Sequence, residues 1–153
     1  MMHAALPPRA GIGTREGPLT ECETAAQSYQ DVHGWTVGVY GTGMWLVAGR
    51  GVEALDMPRE LGKRVWTALD VPVPVFESPD DHGVRWVFPI APHTGGDVPE
   101  LAGLDVDHVR SGRSVDLPPS RFGRHRLRWI TWPGIMPVPS FDTVLRAVMA
   151  DQR

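Results

Sequence analysis

Proline and glycine recur too often along this chain for long helices to survive. There are 15 prolines and 17 glycines in 153 residues, and proline alone is about twice its ~5% norm. Inside a helix a proline removes a backbone donor and clashes with the preceding turn. The chain is therefore read as a globular domain of short strands and many turns, not a helical bundle or a coiled coil. Proline and glycine together stay below the ~25–30% that marks low complexity. The 42% of hydrophobic residues suffices for one core, and one domain is the expectation at this length.

Several classes fall away at once. No apolar run approaches the ~18 residues that a membrane span needs, because Gly38, Gly41 and Gly43 break the most apolar stretch. No membrane partner is expected. The first residues lack the charged and apolar regions of a signal peptide. A single cysteine, Cys22, excludes a disulfide framework and a multi-cysteine zinc site. The cytoplasm is the expected compartment.

Along the chain, residues 1–20 carry Pro7, Pro8, Gly11, Gly13 and Gly17 without a hydrophobic period. They read as a flexible arm, and residues 21–153 as the domain. A short helix is expected over 21–33, with Ala25, Ala26 and Tyr29 at helical spacing and Gly34 as its stop. Strands at 35–40 and 44–48 form a hairpin about Gly41-Thr42-Gly43. A strand over 52–55 ends at Asp56, whose local reading is the N-cap of a helix over 58–69. Strands at 71–77 and 84–90 surround a turn at 78–83, and Pro72, Pro74 and Pro89 place them at edges or ends. Residues 91–103 read as loop. A last pair of strands, 114–117 and 126–131, surrounds the turn at 118–123. Ser140 caps a closing helix that carries Phe141, Val144, Leu145, Val148 and Met149 on one face. The class is α+β, a single domain with a mixed or antiparallel sheet and flanking helices.

Charge is unevenly spread. The net charge is −3, yet acids crowd residues 53–107 while Arg110, Arg113, Arg121, Arg124, Arg126 and Arg128 follow with Asp116 alone between them. The late segment interleaves Arg121, Arg124, Arg126 and Arg128 with Phe122, His125, Trp129 and Trp132. Guanidinium forks pair with phosphates and aromatic rings stack on bases, so this segment is the candidate surface for nucleic acid. In a strand, Arg126 and Arg128 share one face and Leu127 and Trp129 the other. A charged edge strand that resists aggregation is the plainer reading of the same residues. Asp105-x-Asp107-His108 alternates ligand-type side chains that would suit a metal, and a solvated acidic loop is the plainer reading of it. Gly41-Thr42-Gly43 and Thr94-Gly95-Gly96 read as turns, and Cys22 as a plain surface or helix-packing thiol.

Three stretches together carry a family likeness. They are Ser28-Tyr29 with Gly34-Trp35-Thr36-Val37, then Val52-Glu53-Ala54-Leu55-Asp56, then Leu117-Pro118-Pro119-Ser120 with Trp129. Across residues 25–132 the chain resembles the N-terminal domain of bifunctional DNA primase–polymerases, bacterial, phage and plasmid relatives of the archaeo-eukaryotic primases. The resemblance implies a primase–polymerase-like fold and a two-metal nucleotidyl-transfer site built on an Asp-x-Asp strand. Here that motif is Asp56-Met57-Pro58, and Pro58 cannot ligate a metal. Where the family has a phosphate-binding histidine, this chain has Arg85 or Trp86, with His82 nearby. The third acid corresponds to Asp107 or Asp105.

These departures imply a catalytically impaired relative that acts by binding nucleic acid, a nucleotide, or a protein of replication or regulation. Trp129 joins Arg121, Arg124, Arg126 and Arg128 as its candidate contacts. An active primase or polymerase would use Asp56 with Asp105 or Asp107 and Mg²⁺ or Mn²⁺; otherwise no cofactor is expected. A protein-interaction module that keeps only the fold is the third reading.

Overall fold

A computed structural model describes residues 20–134 and 137–153. The arm expected over 1–20 lies outside these residues, except Thr20. That residue opens helix α1 (Glu21–Ser28) with a reciprocal cap. Its Oγ1 accepts from the Glu23 N–H at 3.1 Å, and Glu23 Oε1 accepts from the Thr20 N–H at 2.9 Å. The helix runs on into a π-helical turn (Tyr29–His33) and stops at Gly34, at φ 70°.

After the stop come β1 (Val37–Tyr40) and β2 (Gly43–Val47), an antiparallel hairpin turning at Gly41 and Thr42. Next are β3 (Glu53–Pro58), α2 (Arg59–Ala68), β4 (Val75–Asp80) and β5 (Gly83–Ile90). A one-turn helix α3 (Glu100–Gly103) then leads to β6 (Asp107–Val109) and β7 (Ser114–Asp116). The short strands β8 (Arg121–Phe122) and β9 (His125–Arg126) precede β10 (Arg128–Thr131), and α4 (Phe141–Ala150) closes the fold. The class is α+β.

All the pairings are antiparallel. Five strands lie in the order β10-β4-β5-β3-β6, three in the order β1-β2-β7, and β8-β9 form a separate two-stranded ribbon. Side chains alternate across a strand, so the five-stranded sheet feeds two cores. Ala54, Phe76, Val87 and Val109 pack with Met44 and Leu46 of the small sheet and Ala26 and Tyr29 of the first helix. Leu55, Met57, Trp86 and Phe88 pack with Leu61 and Val65 of α2 and Phe141, Val144 and Val148 of α4. Ser140 caps α4 by accepting from the Thr143 N–H at 3.0 Å.

Four expectations change. Asp56 lies inside β3 because the strand pairs on both sides there, with Val87 and with Asp107. Pro58 takes the N-cap position of α2 and gives it no side-chain bond. Pro89 lies in β5, an inner strand, opposite Ala54. The pairing of β5 with β4 ends with Val87, opposite Phe76, so Pro89 stands where β5 is locally an edge and its missing N–H costs little. The stretches 114–117 and 126–131 do not pair with each other. β7 joins β2 and β10 joins β4, since each finds a longer apolar partner elsewhere. Finally, the stretch read as loop over 91–103 includes α3, anchored by buried Leu101.

Gly62 on α2 faces Trp86, where an added Cβ would lie 2.6 Å from the Trp86 Cβ. On an exposed helix, Gly→Ala stabilises by about 1 kcal/mol. Here Gly62→Ala should instead destabilise by about 1–3 kcal/mol through overpacking, read from the urea midpoint.

Candidate binding groove and the carboxylate cluster

The three acids singled out from the sequence do come together. Asp56 and Asp107 are cross-strand partners on β3 and β6, and Asp105 stands just before β6 at φ 60°, a conformation Asp tolerates better than most residues. Arg85, from β5, lies among them. Its Nε donates to Asp56 Oδ1 at 2.7 Å and a terminal nitrogen donates to Asp105 Oδ2 at 2.8 Å. The other terminal nitrogen donates to the carbonyls of Asp56 and Asp105, at 3.1 and 2.9 Å. Asp107 is held separately, by a two-pronged pair with Arg113 at 2.8 Å on each oxygen.

Environment splits these acids. Burial pushes the Asp56 carboxyl above its ordinary range, against the opposing pull of Arg85. The Arg113 hydrogen bonds hold Asp107 below that range. A two-metal centre needs several hard oxygens free to face the ions. Here all three carboxylates already accept from guanidinium groups, and the second motif position is Pro58. An ion at Asp56 would sit beside the fixed charge of Arg85, so these residues do not fit a pair of divalent metals. Among the described residues no group of three or more His, Cys, Asp or Glu side chains is arranged to hold a metal.

The other candidates near this motif separate. Trp86 lies on the opposite face from Arg85, its Nε1 donating to Glu77 at 3.1 Å. His82 sits in the β4–β5 turn, its N–H bound to Asp80 at 2.7 Å. His108 points away from the acids toward buried Glu53, 2.8 Å from Oε1. Burial lowers the pKa of His108, with Glu53 opposing. Glu53 also accepts from the His93 N–H at 3.1 Å, and both histidine rings stack on Phe141. This is a satisfied internal network that fastens the 91–99 loop to the sheet.

The late basic segment builds a different feature. A groove of about 640 Å³ opens between α1 and the edge strand β10. Glu21, Thr24 and Ser28 line one wall, Pro118 and Pro119 another, and Arg126, Arg128, Trp129 and Trp132 the third. Tyr29 anchors it. Its hydroxyl donates to the Pro118 carbonyl at 2.8 Å and accepts from Trp129 Nε1 at 2.7 Å. Burial raises the Tyr29 pKa, so the phenol keeps its proton. Trp132 lies 6.4 Å from Tyr29 and 5.8 Å from Trp129, ring centre to ring centre, yet is 59% exposed. Ser120 secures the Pro-Pro-Ser turn beneath by bonding both backbone groups of Met44, at 2.8 and 2.9 Å.

The arginines divide into two kinds. Arg126 pairs with Glu21 at 2.7 Å and Arg128 with Glu77 at 3.2 Å. Arg121 and Arg124 are exposed and make no ion pair among the described residues. Glu21, Ser28 and Tyr29 complete a site for which the sequence pointed only to the late segment, from Arg121 to Trp132. The helical spacing of Glu21, Ala25 and Tyr29 was the available signal for the wall they share. Compared with known proteins, the chain matches no family model, and no curated protein or solved structure shows significant similarity to it.

Arg85→Met would leave the largely buried Asp56 without its guanidinium. The expected loss is about 2–3 kcal/mol at pH 7. Without Arg85 the folded-state pKa of Asp56 should rise further above its ordinary 3.8. The charged form then opposes folding above that pKa, and protonation relieves it below. Denaturant melts at pH 7 and near pH 4 should show the variant's deficit shrinking at the lower pH.

Proposed function

We propose that this chain is a primase–polymerase-like domain that acts by binding single-stranded nucleic acid rather than by nucleotidyl transfer. The observation that carries this reading is the groove, where Trp129 and Trp132 stand beside Arg126 and Arg128. An exposed indole offers a face on which any base can stack, and neighbouring guanidiniums pair with phosphate. Arg121 and Arg124, which make no ion pair among the described residues, extend the basic surface past the groove. Arg85 supports the catalytic half of the reading, because it takes up the carboxylates that a metal pair would need. The resemblance of residues 25–132 supplies the family and agrees with a nucleic-acid ligand. With Cys22 as its single thiol, the cytoplasm remains the proposed compartment. Among the described residues no helix is long and apolar enough to cross a membrane.

Binding of a labelled oligothymidylate at ~50 and ~200 mM salt tests the proposal. Affinity should fall with salt by about 0.7 of a log–log unit per phosphate contact. Trp132→Ala should weaken it about tenfold or more, the worth of one stacked base. No binding at the lower salt would overturn the proposal and leave the protein-interaction module in its place.

Primer extension and de novo priming with Mg²⁺ or Mn²⁺ should give no product. Product that disappears in Asp56→Ala would reinstate the polymerase.

A further inference from the structure

Arg121 and Arg126 are register partners across the β8–β9 ribbon, so their side chains leave the same face. Like charges placed directly opposite each other repel. Arg126 reaches across to the first turn of α1, and Arg121 leaves the same face of the ribbon beside it. Glu21 Oε2 pairs with Arg126 there at 2.7 Å. Among the described residues Arg121 makes no ion pair, so this face of the ribbon has room for a further negative charge.

The two acids that hold groove arginines differ in how easily they can let go. Glu77 is only 14% exposed and also accepts from Trp86, so its contact with Arg128 is fixed from both sides. Glu21 is 57% exposed, and Arg126 is the partner that holds it. An exposed ion pair of this kind contributes little to stability, and a phosphate can replace its carboxylate. Carboxylate and phosphate offer a guanidinium the same paired oxygens.

We propose that Glu21 is an internal stand-in for a phosphate. In the free chain it holds Arg126; a backbone phosphate of single-stranded DNA displaces it and is shared by Arg121 and Arg126, while the adjoining base stacks on Trp132. This rests on the nucleic-acid reading above. Glu21 thereby sets the threshold of binding, keeping weak anions off Arg126 and yielding only when stacking adds to charge.

The test compares labelled oligothymidylate binding by wild type, Glu21→Gln, Glu21→Asp and Glu100→Gln, the last removing the same charge at the β6 edge of the sheet, remote from β10. At ~50 mM salt Glu21→Gln should tighten binding three- to tenfold and steepen the salt dependence by about one contact. Glu21→Asp keeps the charge at the helix start but withdraws it from Arg126, and should give a smaller gain. Glu100→Gln should change affinity less than twofold. Arg121→Glu added to Glu21→Gln should abolish the gain. Equal affinities for Glu21→Gln and wild type, with Trp132→Ala still weakening both, would overturn the stand-in alone. A gain matched by Glu100→Gln would do the same. Absence of binding by every variant would overturn the nucleic-acid reading itself.

Discussion

Burial of β3 on both faces is the constraint from which the rest of the fold follows. The strand lies between β5 and β6 and separates two cores, so each of its side chains must be apolar or fully matched. Ala54, Leu55 and Met57 meet that demand by being apolar. Glu53 and Asp56 meet it with partners brought from elsewhere, because a charge taken out of water without one costs several kcal/mol. Glu53 draws in His93 and His108, and Asp56 draws in Arg85. Two acids in one strand thus dictate where the loop after β5 and the turn before β6 must lie.

Arg85 extends that control to chemistry. Its guanidinium bonds both a side chain and a carbonyl at Asp56 and again at Asp105, which ties β5, β3 and the entry to β6 at one point. A metal ion held by carboxylates can exchange, whereas an arginine is covalently part of the strand and keeps its proton at any ordinary pH. The same cross-link therefore stabilises the sheet edge and occupies the carboxylates. The proposed ligand is met instead at the opposite edge of the sheet, which has the aromatic surface and the cations for it.

Local signals were legible in the sequence, and nonlocal ones were not. Gly34, the Gly41 turn and the Ser140 cap act within four residues, and the helices and hairpin expected around them are there. The α+β class followed from their mixture. Asp56 misled because a strand end and a strand interior differ only in whether partners continue alongside. Pro89 misled for the matching reason: an inner strand can be an edge at one residue. The basic segment was visible as composition, but its division into paired and unpaired arginines depends on Glu21 and Glu77. Those lie 105 and 51 residues away in the chain, beyond any periodicity. Pro58 and Arg85 could be read as departures from a motif; that Arg85 would bridge Asp56 and Asp105 could not.

The Tyr29 hydroxyl joins parts of the chain separated by 89 residues on one side and 100 on the other. Contacts of such span form late, since the intervening chain must first be ordered. During synthesis the first helix leaves the ribosome long before Trp129 exists, and it carries only one wall of the groove. A chain that ends before Arg126 has Tyr29 without the arginines and indoles that complete the groove. For the proposed ligand, binding competence is then acquired all at once, when β10 closes on the first helix.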